Sequence, residues 1–440
     1  MTATSTTGTA GDGAPAKGAT WFGHPAGLTV LATTEMWEVF SFIGMKTLLV
    51  YYMTKDLGFA QQQASLVYGL YGGCAYFTPI LGGIACGRWL TRRQAVTAGG
   101  LIMALGHFLL IFPSLFFPAL ATVALGAGLY LPALPSQVGG LYAKDDPRKD
   151  SAYSVYYLGM NLGALLAPLV CGTLGELFGW HWGFGAAGIG MLIGVSIYSF
   201  NGRHLPPEPP RAPGPAGVGT QDRATTRSGL LLIVIIAAVV VVFRGAYEQI
   251  GNTLAIWLDG GVDRRVGGFV IPMTWFQSIN PLLVITLTPL IVARWARLAK
   301  AGRETPSIGK MGRGGLMLAA GYLLLSAAAA VSGAGSTHWM WFVAFVAAMT
   351  LGELYVMPIC LGLFGRLSSP SFATMAAAIW FATAFGGNLL AGLMGSAWSA
   401  TSPALFFAAM AGVAFGAAIL FLVLAGPVAK VQAQVAAAST

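Results

Sequence analysis

Apolar runs of about 20 residues recur along this chain from Leu28 to Leu424. A helix of that length crosses the roughly 30 Å hydrocarbon core of a bilayer. The runs lack the apolar–polar alternation of barrel strands, and a helix satisfies its own backbone hydrogen bonds in lipid. Only 9% of the 440 residues are charged, far fewer than in soluble domains. We therefore predict an all-α membrane protein.

The apolar runs form two sets of six spans, separated by a polar, proline-rich and arginine-rich linker that cannot cross a bilayer. The spans lie near 28–53, 63–86, 94–113, 115–142, 150–178, 182–200, 229–256, 272–296, 312–331, 337–365, 370–396 and 403–427. The predicted domains are a disordered N-terminal tail at 1–27, a six-helix bundle at 28–200, a cytoplasmic linker at 201–228, a second six-helix bundle at 229–428 and a C-terminal tail at 429–440.

The basic residues fall in alternate loops and in the linker, which accounts for the net charge of +9. They include Arg88, Arg92, Arg93, Lys144, Arg148, Lys149, Arg294, Arg297, Lys300, Arg303, Lys310, Arg313 and Arg366. Because loops rich in Lys and Arg stay in the cytoplasm, both termini should be cytoplasmic in a multi-pass plasma (inner) membrane protein. We expect the lipid bilayer as a partner, no nucleic acid, and a monomer.

Six ionisable side chains lie inside predicted spans, where each costs at least a few kcal/mol unless it has a partner or a task. Three share one stripe of span 1 at spacings of three, eight and eleven, and two lie four residues apart on span 7. They could be structural ion pairs, or they could handle protons and charged solutes. The six are Glu35, Glu38, Lys46, Arg244, Glu248 and Glu353.

Neutral polar and aromatic residues in the spans could line the same cavity, although packing against lipid or protein is an open alternative for each. They are Tyr68, Tyr71, Tyr76, Tyr153, Tyr156, Tyr157, Asn161, Trp275, Asn280 and Trp380. The five histidines and four cysteines are scattered, without metal-ligand or nucleophile motifs. We therefore expect no metal or cofactor, and we disfavour a membrane-embedded enzyme.

The spans contain several distinctive blocks of residues. They are Ile271 to Pro281, Glu35 to Lys46, Tyr68 to Tyr71 followed by Thr78 to Gly83, Tyr156 to Gly163, and Gly352 to Pro358. Together these blocks resemble the proton-coupled oligopeptide transporters of the major facilitator superfamily. The likeness spans about Leu28 to Leu424 and is most specific at Ile271 to Pro281. The halves also repeat faintly, since Asn161-Leu162 recurs as Asn388-Leu389. The resemblance implies a twelve-helix major facilitator fold of two six-helix bundles.

The resemblance also implies proton-coupled symport of small peptides or peptide-like zwitterions by alternating access. Glu35, Glu38 and Glu248 would couple transport to protons. Glu353 would meet the substrate amino terminus, and the substrate-binding set would be Lys46, Tyr68, Asn161, Arg244, Asn280, Glu353 and Trp380. We expect the four acidic residues to share a wet cavity at the middle of the bilayer with the cations.

This chain departs from the family pattern at several positions. Val39 and Leu131 stand where the family has basic residues, Gly87 replaces an aspartate of the helix 2–3 gate motif, and Phe42 and Ile43 replace two tyrosines. The missing cations leave three alternatives open. The chain could carry non-peptide solutes or modified peptides, could run without proton coupling as a uniporter or exporter, or could act as a non-transporting substrate sensor.

Arg244 stands at a position that is usually aromatic in the family. A guanidinium has the fork geometry to hold a carboxylate, so Arg244 could replace a missing cation in substrate binding. The rival interpretation is that Arg244 only neutralises Glu248, one helical turn away.

Overall fold

The structure is a computed structural model that describes residues 23–143, 146–208, 223–333, 335–367 and 373–438. Most of the predicted N-terminal tail and residues 209–222 of the predicted linker lie outside these ranges. The described residues are overwhelmingly helical, as the long apolar runs require.

The first half contains six long helices. They are α1 Ala26–Lys55, α2 Gln61–Arg88, α3 Arg92–Leu109, α4 Phe116–Ala133, α5 Lys149–Ala167 and α6 Trp180–Phe200. Pro168, which has no amide hydrogen, opens a π-helical turn that carries α5 into a short helix. The shorter pieces are Pro113–Leu115, Pro135–Val138, Gly139–Leu141, Pro168–Gly172, Thr173–Phe178 and Gly202–His204.

The second half contains six more long helices and a terminal one. They are α7 Arg223–Tyr247, α8 Ile279–Lys300, α9 Ser307–Ser332, α10 Trp339–Leu367, α11 Ala373–Gly395, α12 Pro403–Val423 and α13 Ala425–Ala438. Shorter helical pieces are Glu248–Gly251, Thr253–Gly260, Met273–Ser278 and Trp398–Ala400. Two-residue strands pair Val262–Asp263 in parallel with Thr337–His338, and Arg265–Val266 antiparallel with Phe269–Val270.

The number of long helices matches the predicted spans. Within the described residues, nine helical segments have the length and apolar composition needed to cross a membrane. The remaining long helices are α1, α2 and α3, and α1 carries three of the ionisable residues inside its length. The twelve predicted spans therefore each correspond to a long helical segment in the described part of the chain.

The seventh predicted span, near 229–256, is not one continuous helix in the structure. It changes to a 3-10 turn at Glu248–Gly251, and Asn252 leaves helical geometry with φ −114° and ψ −103°. The carbonyl of Ala246 beside this break accepts a hydrogen bond from the Tyr322 hydroxyl at 2.6 Å. A side chain thus satisfies a backbone group exposed near the break, as a membrane interior demands. The break places Glu248 at an interruption of the helix.

Two helix pairs join the halves. In the first half α1 packs on α5 and α6, and in the second half α9 packs on α10 and α12. Between the halves, α2 packs on α11 and α5 packs on α8. A Cβ added to Gly69 of α2 would lie 2.6 Å from Cα of Gly392 on α11. The small residues therefore allow the two backbones to approach closely.

We expect Gly69→Ala to weaken the α2–α11 contact because the added methyl group overlaps backbone atoms of α11. Overpacking of this kind costs about 1–3 kcal/mol. The thermal unfolding midpoint of purified protein in detergent should fall. The matched control is Gly83→Ala on the same helix, where the nearest atom would lie 3.9 Å from the new Cβ. Equal midpoints for the two variants would contradict the close packing of α2 on α11.

Candidate functional site

A cavity of about 400 Å³ lies between the halves. Helices of both halves line it, so relative movement of the halves would reshape it. Its lining residues include Ile43, Lys46, Thr47, Tyr68, Tyr76, Met160, Ala164, Arg244, Tyr247, Glu248, Gln277, Asn280, Glu353, Met357, Trp380 and Phe381. Four of these are ionisable residues that the sequence places inside spans.

The side chains of Lys46 and Arg244 both form ion pairs with the carboxylate of Glu248. Nζ of Lys46 on α1 donates a hydrogen bond to Oε2 of Glu248 at 3.1 Å, and this ion pair joins the two halves. Nη1 of Arg244 lies 3.6 Å from Oε1 of the same carboxylate. Lys46 also donates to Oδ1 of Asn388 on α11 at 3.2 Å. One buried carboxylate is therefore shared by a cation from each half.

Arg244 has an N–H donor without a hydrogen-bond partner, although its guanidinium lies near Glu248. Its guanidinium lies over the Trp380 ring, 5.1 Å from the ring centroid, and its aliphatic part packs on Gly387. The buried Nε of Arg244 has no hydrogen-bond partner. The stacked ring and the narrow space at Gly387 fix the side chain while leaving the guanidinium able to bind an anion in the cavity.

Glu353 of α10 contributes a carboxylate to another part of the cavity lining. Its Oε2 accepts a hydrogen bond from Nδ2 of Asn280 on α8 at 2.8 Å. The same amide nitrogen donates to Oγ1 of Thr350 at 3.0 Å. Asn280 precedes Pro281 near the start of α8, and it orients the carboxylate without neutralising its charge. Glu353 therefore has no ion-pair partner among the described residues.

Glu35 and Glu38 lie apart from this cavity. They are only 2% and 3% exposed and are not among the lining residues. Eight residues of helix separate Glu38 from Lys46, which corresponds to about 12 Å along the axis. Oε2 of Glu35 and the hydroxyl of Tyr156 are buried without a hydrogen-bond partner. The expectation that all four acidic residues share one void is therefore met by Glu248 and Glu353 only.

The structure brings together most of the residues predicted for substrate binding. Lys46, Tyr68, Arg244, Asn280, Glu353 and Trp380 all line the cavity. Asn161 is not among the lining residues, and its amide donates a hydrogen bond to the Tyr157 carbonyl of its own helix at 2.9 Å. The sequence interpretation missed Asn388 and Tyr247 as site residues. The repeat of Asn161-Leu162 at Asn388-Leu389 was a signal for the former.

Bonds between the halves continue from the cavity to the face that holds the α1–α2 loop, which we call the α1–α2 face. The opposite face, which holds the α2–α3 loop, is the α2–α3 face. Contacts near the α1–α2 face include Lys55–Asp259 at 2.6 Å, Tyr51 to the Ala255 carbonyl at 2.9 Å, Ser65–Asn252 at 2.8 Å, Gln61 to the Gly395 carbonyl at 2.8 Å and Trp275–Thr173 at 2.7 Å. The halves are therefore fastened together on this side of the cavity.

The part of the chain that the structure describes contains no group of three or more His, Cys, Asp or Glu residues able to hold a metal ion. The carboxylates of the cavity are instead matched by cationic and amide side chains of the protein.

We expect the stability effects of Lys46→Met and Arg244→Met to be non-additive. Each single variant leaves Glu248 with one cation, whereas the double variant leaves its buried charge unpaired, at a cost of about 3–5 kcal/mol. The measurement is the thermal unfolding midpoint in detergent. Adding Glu248→Gln to the double variant should restore much of the loss. A double variant that loses only the sum of the two single effects would contradict the sharing of Glu248.

Comparisons with known proteins agree with this arrangement. The family model described as PTR2, POT family, matches residues 93–215 and 215–411. Peptide transporter YePEPT of Yersinia enterocolitica is 31% identical, with 92% of this chain and 95% of that protein covered. A di-/tripeptide transporter of Lactococcus lactis subsp. cremoris is 28% identical, with 94% and 98% covered.

A solved structure shows the same fold. The crystal structure of peptide transporter POT in complex with sulfate matches with a TM-score of 0.87 and 27% identity, over 94% of this chain and 97% of that one. The predicted all-α membrane fold of the major facilitator type, with twelve helices, is thereby confirmed. The chain belongs to the POT family.

Proposed function

We propose that this protein is a secondary active transporter that carries small peptides or peptide-like zwitterions, in symport with protons, by alternating access. The observation that carries the proposal is the cavity between the halves, in which two cations share the single carboxylate of Glu248 while the carboxylate of Glu353 has no ion-pair partner among the described residues. The relatives from Yersinia and Lactococcus are a peptide transporter and a di-/tripeptide transporter, which supports a peptide as the solute.

The two ends of a zwitterion would bind to different charged groups. Glu353, oriented by Asn280, suits the amino terminus because a carboxylate accepts hydrogen bonds from an ammonium group. Lys46 and Arg244 are the cations available to the carboxylate. A substrate that fills both subsites satisfies charges that are costly to leave unpaired in a membrane interior. This cost favours zwitterions over singly charged or neutral solutes.

Arg244 is the better candidate for the substrate carboxylate. Lys46 already donates to Glu248 and Asn388, whereas Arg244 lies 3.6 Å from Glu248 and has an unused Nε. A guanidinium can also bind a carboxylate through two parallel hydrogen bonds. We therefore propose that Arg244 supplies the cationic function that Val39 and Leu131 cannot supply in this chain.

The conformation fits one end state of a transport cycle. If the basic loops are cytoplasmic, the α2–α3 face points into the cell and the fastened α1–α2 face points outward. Both termini would then be cytoplasmic in a monomeric inner-membrane carrier. Opening outward would require Lys46 to leave Glu248 and Lys55 to leave Asp259. The alternating movement of two bundles about a central site is the mechanism of such folds.

Protons would act at Glu35, Glu38 and Glu248. Protonation of Glu248 weakens its attraction for Lys46 and so favours separation of the halves. Glu35 and Glu38 are buried and have no ion pair among the described residues. Protonation removes their charge and with it the free-energy cost of burying an unpaired carboxylate. Arg244 stays beside Glu248 on the same helix, and this specific contact favours the alternative of a carrier with reduced proton coupling.

We expect Arg244→Gln to reduce uptake of a labelled dipeptide into proteoliposomes by about 10- to 100-fold at low substrate. The physical reason is the loss of a charge-assisted hydrogen bond, worth about 1.5–3 kcal/mol. The matched control is Arg203→Gln, which removes an exposed cation outside the cavity. Size-exclusion profiles should match the original protein. Unchanged uptake by folded Arg244→Gln protein would mean that Arg244 only neutralises Glu248.

We expect an imposed proton gradient, alkaline inside, to drive dipeptide accumulation in the same proteoliposomes. Because Glu35 and Glu38 would carry protons, the double variant Glu35→Gln/Glu38→Gln should lose this accumulation. It should keep the exchange of labelled for unlabelled dipeptide, which needs no net proton movement. If the original protein accumulates dipeptide to the same extent with and without the proton gradient, proton symport is wrong and the uncoupled carrier is favoured. Tight binding without any flux would favour the sensor.

A further inference from the structure

A second candidate binding site lies outside the central cavity, where α8, α9 and α10 meet. Both α8 and α9 pack along α10. Val284 and Ile291 of α8 and Leu354 and Tyr355 of α10 form a small apolar cluster separate from the main core. Partly buried apolar side chains from the three helices border it, namely Leu287, Trp295, Met317 and Leu351. The four side chains of the cluster are only 2–8% exposed, so the surrounding helices already bury them.

A cationic cleft lies beside this cluster at the α2–α3 face. Nζ of Lys310, near the start of α9, lies 4.8 Å from the centroid of the Trp295 ring. Trp295 in turn packs edge-on against Tyr355, with ring centroids 5.1 Å apart. Lys310 is only 9% exposed and pairs with Glu304 at 3.2 Å. The cleft, of about 20 Å³, is lined by Arg294, Trp295, Leu298, Glu304, Thr305, Lys310, Arg313 and Tyr355.

The cleft has an excess of positive charge. Arg294 and Arg313 are exposed and have no ion pair or hydrogen-bond partner among the described residues, and Glu304 is the one carboxylate in the lining. Three cations and one carboxylate leave a net charge of +2. The first turn of α9 contains no acidic residue, so its free amides and the helix dipole add to the positive potential.

The rule that basic loops stay in the cytoplasm explains the exposed cations of this region but not the position of Lys310. A lysine that only sets topology gains most from full hydration. Lys310 is instead buried against the Trp295 ring, which borders the apolar cluster. Trp and Tyr side chains favour the boundary between hydrocarbon and headgroups, so the cleft lies where a phospholipid headgroup would be. Exposed apolar side chains, Leu290 and Val292 of α8 and Leu316 of α9, flank this region.

We propose that the cationic cleft of α8, α9 and α10 binds the headgroup of one anionic phospholipid. Its phosphate lies at the mouth of the cleft between the exposed Arg294 and Arg313, with Lys310 behind them, and its acyl chains lie along the exposed apolar side chains Leu290, Val292 and Leu316. Basic pockets between membrane helices are suited to anionic headgroups for the electrostatic reasons given above. α8 also packs on α5 of the first half and carries Asn280, so the bound lipid contacts a helix that belongs to both the half-to-half contact and the central cavity.

The test is native mass spectrometry of the full-length protein in detergent, titrated with phosphatidylglycerol or phosphatidylcholine of the same acyl chains. We expect one phosphatidylglycerol molecule to bind at least tenfold more tightly than phosphatidylcholine. Arg294→Gln/Arg313→Gln should remove this preference. The matched control is Arg297→Gln/Lys300→Gln, which removes the same charge from the same end of α8 but outside the cleft. The control should change the affinity less than twofold.

Three results would overturn the proposal. Equal affinity for the two lipids would show that the headgroup charge is not recognised. Equal loss of binding in the two double variants would indicate diffuse surface attraction instead of a site. Displacement of phosphatidylglycerol by millimolar inorganic phosphate would indicate an anion site to whose affinity the acyl chains contribute nothing. The exposed arginines make no contacts that folding requires, so both double variants should keep the elution volume and unfolding midpoint of the original protein.

Discussion

The arrangement of the central cavity depends on the high free-energy cost of an unpaired charge in the membrane interior. Lys46 and Glu248 meet this constraint by pairing across the two halves at 3.1 Å. Because each partner belongs to a different half, the pair exists only while the halves are close on this side of the cavity. A change in the charge of either group, or a competing ion, therefore acts directly on the relative position of the halves. Electrostatics and conformation are coupled through one contact.

The backbone is adapted to this contact. The seventh span breaks at Glu248–Gly251, so the carboxylate projects from an interrupted helix, and the hydroxyl of Tyr322 satisfies a carbonyl beside the break. Small residues at Gly69 and Gly392 bring α2 and α11 together, and Asn388 of α11 reaches Lys46. Arg244 gives Glu248 a second partner on its own helix, and this partner stays with the carboxylate whichever way the halves move.

The sequence predicted the fold and most of the cavity because both leave strong local signals. Apolar runs of span length define the helices, and a charge inside such a run is conspicuous, so Lys46, Arg244, Glu248 and Glu353 were found directly. Neutral polar residues in spans are weaker signals, because many of them bond to their own backbone. Asn161 does so, whereas Asn388 contacts Lys46 only through the packing of α2 on α11.

Other features depend on geometry that residue spacing does not specify. Glu35, Glu38 and Lys46 share a helical stripe, yet the axial rise separates the two acids from the cavity that Lys46 lines. The break at Glu248 contains no proline, and a single glycine is common in membrane helices, so no residue marked it in advance.

The central claim is that one cavity recognises both ends of a zwitterion, with Arg244 at the carboxylate end and Glu353 at the amino end. The most direct measurement is calorimetric binding of a dipeptide, its carboxamide and its N-acetyl derivative to the original protein and to Arg244→Gln. The account predicts that the original protein binds both blocked peptides at least tenfold more weakly than the dipeptide. It also predicts that Arg244→Gln no longer distinguishes the dipeptide from its carboxamide but still discriminates against the N-acetyl form. Equal affinity of the original protein for the dipeptide and its carboxamide would contradict the account.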